Sequence, residues 1–128
     1  MKKFNILFLG GGKRVELAKN FKKIESKFKL NINCYTYEIN KDNPFFLVGK
    51  VIIGKRWDDP LVLDDIEKKV KKFKIKLILA NSDPATLILS KLKNNKFLGS
   101  KIITSDYTYS KLCYDKLLIE KCLSKSKE

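Results

Sequence analysis

Residues 4–17, Phe4-Asn5-Ile6-Leu7-Phe8-Leu9-Gly10-Gly11-Gly12-Lys13-Arg14-Val15-Glu16-Leu17, decide the fold. The first six are almost continuously apolar, the pattern of a strand buried on both faces. Glycines end the run, and from Arg14 the period changes. Leu17, Phe21, Ile24 and Phe28 then recur at helical spacing, with Ala18 beside them and lysines opposite. A buried strand, a tight turn and an amphipathic helix form the opening of a parallel α/β unit.

The alternation continues along the chain. Asn33 to Glu38 reads as a second strand and Val51-Ile52-Ile53 as a short third. Asp59-Pro60 predicts a helix start, with the acid as N-cap and proline at the first helical position, where its missing N–H costs nothing. Leu63, Ile66, Val70 and Phe73 supply that helix's apolar stripe. Lys76 to Ala80 is a fourth strand, and Ser82-Asp83-Pro84 starts a helix in the same way, with Ala85, Ile88, Leu89 and Leu92 inward. Ile102-Ile103-Thr104 is a fifth strand. Ser105-Asp106 opens a last helical segment, broken near Asp115 and running to about Ser124. Nearly continuous apolar strands alternating with helices predict an α/β fold: a Rossmann-like, open, doubly wound, mainly parallel five-stranded sheet with helices on both faces.

Composition agrees with one folded domain. The 128 residues are 44% hydrophobic and 33% charged, which places the chain among globular rather than disordered proteins. No apolar run approaches the roughly 18–20 residues of a membrane span. Met1-Lys2-Lys3 and the apolar run after it resemble a signal peptide only briefly, because Lys13-Arg14 follows the glycines where a small-residue cleavage site would stand. A cytoplasmic protein that contacts no membrane is the expectation. Histidine is absent, which excludes Ser-His and Cys-His nucleophile pairs and every His-containing zinc site. Cys34, Cys113 and Cys122 have no C-x-x-C spacing and read as free thiols. No metal site is expected.

The net charge of +14 invites a nucleic-acid reading. The excess is evenly spread, however, at +6 over residues 1–64 and +8 over 65–128. Only Arg14 and Arg56 are arginines, whereas base-edge readers favour that planar fork over lysine's point charge. Weak, salt-sensitive phosphate affinity is expected; specific nucleic-acid binding is not.

Open parallel sheets bind ligands outside the carboxyl ends of their strands, where strand order reverses. Three loops should converge there. Gly10 to Arg14 lets the backbone approach a ligand and offers helix N–H groups to an anion, with Lys13 and Arg14 adding charge. Equally, the glycines can serve only the tight turn. The string lacks the third glycine of a dinucleotide fingerprint, where Val15 stands. It also lacks the first glycine and the Ser/Thr of a phosphate loop, replaced by Leu7 and Arg14. Glu38, at the end of strand two, can hold a ligand hydroxyl or simply be solvated. Asn81, Ser82 and Asp83 complete the set, although Asp83 can be only an N-cap.

The order of these motifs resembles the N-terminal, pre-ATP-grasp domain of ATP-grasp ligases, particularly the carbamoyl-phosphate synthase large-chain-like proteins. The matching residues are Gly12-Lys13-Arg14-Val15-Glu16-Leu17, the segment Glu38 to Pro44, Lys55-Arg56-Trp57-Asp58-Asp59-Pro60, Asp83-Pro84 and Asp115-Lys116, within residues 4–123. The sequence departs from the pattern at the glycine turn, where a small hydroxyl residue or alanine is usual. The resemblance implies a pre-ATP-grasp domain over residues 1–113 and a helix over 114–128 that leads toward an ATP-grasp body lying beyond Glu128. It further implies that Gly11, Gly12, Lys13, Arg14, Glu38 and Asp83 line the acceptor-substrate side, joined by Asn81 and Ser82 from the loop reading, and that Lys116 faces ATP. ATP and magnesium would then bind only in the intact ligase, whose catalytic region is supplied in cis or by a partner chain. This chain alone would be inactive. The apolar residues of 114–128 would support a homodimer. The alternative is a stand-alone Rossmann-like domain that binds a nucleotide in a regulatory role.

Overall fold

The computed structural model describes residues 2–90, 96–97 and 99–103. Its strands are β1 (Lys2–Leu9), β2 (Leu30–Glu38), β3 (Lys50–Ile53), β4 (Ile75–Ala80), β5 (Lys96–Phe97) and β6 (Ser100–Ile103). They lie in one sheet in the order β3-β2-β1-β4-β6-β5. The first five in that order are mutually parallel, and the two-residue β5 adds antiparallel to β6 at one edge. This is the expected Rossmann-like sheet with one short strand more. The N-terminal residues that resemble a leader thus form its central strand, in which Ile6, Leu7, Phe8 and Leu9 are fully buried.

Helices α1 (Val15–Lys23), α2 (Glu25–Phe28), α3 (Val62–Lys72) and α4 (Asp83–Ser90) cover the sheet on both sides. Alternate residues of β1 explain how. Ile6 and Phe8 face Ala18 of α1 and Phe45 of a 3-10 turn, Pro44–Leu47, whereas Leu7 and Leu9 face Val62, Ile66 and Val70 of α3 and Ala85 and Leu89 of α4. Period-two alternation on a strand with two covered faces requires apolar side chains throughout. Phe8 anchors its side through edge-to-face contacts with Phe45 (5.3 Å) and Phe21 (6.0 Å). Asn5, the one polar residue in the run, sits where the β1–β4 register shifts. Its amide donates to the Phe73 carbonyl at 2.7 Å and accepts from Asn33 at 3.0 Å, so the polar group is satisfied inside the sheet.

Several local expectations need correction. The first helix is two: α1 ends at Lys23, and α2 follows and closes on Lys29 in the left-handed conformation (φ 53°). Ile24 and Phe28 therefore leave the apolar stripe and are exposed. Asp59 does not cap α3; its carboxylate accepts from Leu61 N–H in a turn one step earlier (2.8 Å), and the helix begins at Val62. Val62 consequently replaces Leu63 in the core. In α4 the cap is Ser82, whose Oγ accepts from Ala85 N–H (3.4 Å), and Asp83 is the first helical residue. Among the described residues no helix is long and apolar enough to cross a membrane. Leu92, Cys113, Cys122, Lys116 and the segment 114–128 lie outside the described residues.

Candidate functional site

Strand order reverses at β1, because the chain moves from β1 outward to β2 and β3 and then crosses back to β4. The carboxyl ends of β1 and β4 therefore part at Gly10 and Asn81, whose N–H donates back to the Leu9 carbonyl at 2.9 Å. A cavity of about 510 Å³ opens there, lined by Gly10, Gly12, Lys13, Arg14, Glu38, Asn81 and the Asp42–Pro44 turn. Five of the predicted residues (Gly12, Lys13, Arg14, Glu38 and Asn81) are thus brought together.

The glycine turn is built differently from an anion loop. Gly10 takes a left-handed φ of 74°, a conformation that costs glycine little, and its N–H donates to the Tyr37 carbonyl at 3.2 Å. Gly11 N–H donates to the Thr36 hydroxyl at 3.1 Å, and Gly12 N–H to Glu38 Oε1 at 2.6 Å. The single proton of Thr36 lies within reach of both Glu38 Oε1 (3.2 Å) and the Phe8 carbonyl (3.3 Å). All three glycine N–H groups are therefore engaged by the end of β2. Only the first turn of α1, from Val15 on, retains free helix donors, because Ala18 N–H is the first to bond back, to Arg14. The N–H groups left to an anion are thus those of the helix and not those of the glycines, the last of which, Gly12, is taken by a carboxylate of the chain itself.

Gly12 has a second constraint. A Cβ there would stand 2.8 Å from Glu38 Oε1 and 3.1 Å from Asn43 Cγ, so the missing side chain is what lets Glu38 close on the turn. Gly11 instead faces inward, where its Cβ would meet Phe8, and it does not line the cavity. Ser82 lies against Gly10 as the α4 cap. Asp83 is exposed and lines neither this cavity nor its neighbour.

The lining balances two cations, Lys13 and Arg14, against two carboxylates, Glu38 and Asp42. Neither cation has an acidic partner within 4.0 Å among the described residues. Among the described residues none donates to Glu38 Oε2, and none donates to the buried Asn81 Oδ1. The described residues contain no cluster of three metal-ligating side chains.

A neighbouring cavity of about 380 Å³ is bordered by Arg56, Trp57, Asp58, Ile39, Pro84 and α4 side chains. Trp57 packs on Tyr37 with ring centroids 5.6 Å apart and lies beside Gly10, so its ring borders this second cavity next to the glycine turn. Tyr37 holds this ring in place. Its hydroxyl donates to Asp65 of α3 at 2.6 Å and accepts Lys55 N–H at 2.7 Å. Burial, and then the bond to Asp65, holds the Tyr37 phenol well above its ordinary pKa. Sequence reasoning placed Trp57 in a motif without a role. What reveals it is Gly54, which packs flat against the Tyr37 ring and steers the following loop over it.

No protein-family model and no curated protein matches this chain.

Proposed function

We propose that the chain is the N-terminal, acceptor-substrate-binding domain of an ATP-grasp ligase of the carbamoyl-phosphate synthase large-chain-like kind, and that it is not catalytic alone. The observation that carries this reading is convergence. Gly12-Lys13-Arg14, Glu38 to Pro44, Arg56-Trp57-Asp58 and Pro84 belong to the four resembling motifs within the described residues, and all four motifs border the two adjoining cavities at one sheet edge. A parallel sheet brings the loops after its strands to one edge whatever their role, so the support lies in which residues line the cavities there: those of the resembling motifs, spread over residues 12–84.

The described residues do not fit a nucleoside triphosphate. The glycine N–H groups are engaged, and the Glu38 carboxylate stands where phosphate oxygens would approach, opposing them by like charge. ATP and its magnesium therefore belong to the catalytic region, where they drive carboxylate–amine ligation. The role of this chain is to hold the acceptor: Lys13 and Arg14 attract its anionic group, Glu38 receives its donors, and Trp57 borders the neighbouring cavity.

The test is ADP release. With ATP, magnesium and a panel of carboxylates and amines, the chain alone forms no ADP. It forms ADP once an ATP-grasp region is supplied in cis or as a partner, and Glu38→Gln there raises KM for the acceptor. ADP formed by the chain alone, at a rate an enzyme would sustain (~1 s⁻¹ or more), overturns the proposal.

A further inference from the structure

We propose that the amino-terminal edge of the sheet, opposite the crevice, binds the phosphodiester backbone of a nucleic acid without reading its bases. This goes beyond the ligase reading and uses none of the crevice residues.

Three observations lead to it. First, the positive charge that is evenly spread along the sequence is uneven in space. The loops at the carboxyl ends of the strands, residues 10–14, 38–44, 54–61 and 81–83, hold five basic and five acidic side chains. At the amino ends, residues 2–3, 24–31 and 71–76 hold eight lysines and one acid, Glu25. Second, a cavity of about 300 Å³ opens at this edge, lined by Lys3, Lys71, Lys74 and Lys76 around Asn5. Lys71 reaches Glu67 at 3.2 Å, whereas Lys3, Lys74 and Lys76 have no carboxylate within 4.0 Å among the described residues. The Asn5 amide is already bonded to Phe73 and Asn33, and the apolar lining residues Val70 and Ile75 are buried. What the cavity offers a ligand is positive charge. Third, irregular backbone puts lysines there. Lys74 (φ 49°) and Lys29 (φ 53°) hold left-handed positions where glycine is the usual residue. Lys76 is the extra residue where the β1–β4 register slips, since Asn5 pairs with Ile75 and Ile6 with Leu77, and such a bulge re-aims its side chain. The carboxyl end of α3 favours nearby cations and so accounts for Lys71 and Lys72. It does not account for Lys3 and Lys76, which stand on strands.

The chemistry of this face selects the partner. Lysine meets a phosphate as a point charge and lacks the planar fork that reads base edges. Protein interfaces are depleted in lysine and centre on apolar or aromatic anchors, which this cavity does not expose.

Fluorescence anisotropy of labelled oligothymidylate and oligouridylate, each about 20 nucleotides long, tests the proposal on the full chain. Binding in the micromolar range at about 50 mM salt is expected, with log affinity falling against log salt at a slope of about −2 to −3. Lys3→Gln, Lys74→Gln and Lys76→Gln combined should weaken binding at least about tenfold and flatten the slope by about 2. Removing the same charge elsewhere, with Lys19→Gln, Lys41→Gln and Lys55→Gln combined, should change affinity by less than about threefold. Near-ultraviolet circular dichroism confirms that both variants are folded. In nuclear magnetic resonance of the unaltered chain, the amides of residues 2–5 and 71–76 should shift on titration while those of 10–14 stay in place. No binding at about 100 μM chain in 50 mM salt, an equal loss in both variants, or shifts centred on residues 10–14 overturns the inference. So does equally tight binding of polyglutamate of matched charge, which would mark a face for an acidic protein instead.

Discussion

Replacing Tyr37 by phenylalanine removes one oxygen from the point where β2, α3 and the Lys55–Asp59 loop meet. The ring is fully buried, and phenylalanine keeps its packing against Trp57, so the change isolates two hydrogen bonds. One is the 2.6 Å bond to Asp65 and the other the 2.7 Å bond from Lys55 N–H. Asp65 keeps Lys69 at 3.8 Å and some access to water, with 16% of its side chain exposed, which limits its loss. Lys55 N–H has no second partner among the described residues. A bond to a charged acceptor together with an orphaned donor amounts to about 1.5–3 kcal/mol. With about 2.1 cal/mol/K of unfolding entropy per residue over 128 residues, a loss of 2 kcal/mol lowers Tm by about 7 °C. Urea titration followed by far-ultraviolet circular dichroism and by the emission of Trp57, the sole tryptophan, measures it. The native-state emission should also shift to the red as the loop loosens. In a double-mutant cycle with Asp65→Asn, the two losses should add to more than the double variant shows. A loss under about 0.5 kcal/mol, with additive single effects, would refute the role given to the phenol.

Three further outcomes follow from the same geometry. Gly54→Ala places a methyl group inside the volume of the Tyr37 ring and should destabilise by more than about 2 kcal/mol in the same titration. Ser82→Ala removes the α4 cap at the crevice and should cost about 0.5–2 kcal/mol, with most of it recovered by Ser82→Asp. Burial pushes the Cys34 thiol from 9.0 up to about 11, an effect that nearby Lys22 opposes and Glu25 reinforces. Folding thus favours the protonated form, so the stability this group contributes is complete below pH 9 and is lost as pH rises toward 11. In a variant with Cys113 and Cys122 replaced by serine, stability should fall from about pH 9, and Cys34→Ala should delay that fall to above about pH 10, where the raised Tyr37 phenol contributes a decline of its own.

Much of the architecture is legible in the residues, and the gaps have physical causes. The apolar run of β1 and the glycines after it locate the central strand and the switch-point loop because a doubly covered strand tolerates few polar side chains. The break between α1 and α2 has no such marker. Lys29 and Lys74 take the left-handed positions that end helices, where glycine is the usual sign, so periodicity alone runs on through Ile24 to Phe28. The extra strand β5 is two residues long, too short for any period to register. Glu38 could be placed at the crevice from its position at a strand end. Its bond to Gly12 N–H could not, because that contact depends on the parallel register of β1 and β2, which pairs Leu9 with Tyr37 and brings the turn over the next residue. Trp57 belongs to the site through tertiary stacking on Tyr37, which no local pattern encodes.

The central claim is that the crevice receives an acceptor molecule rather than a nucleotide, because the chain has filled its own glycine turn. Titration of the full chain with ATP and with NAD, followed by Trp57 emission and calorimetry, examines this directly. No saturable binding of either below about 1 mM is expected. Micromolar binding of either, abolished by bulk at Gly12, would contradict it.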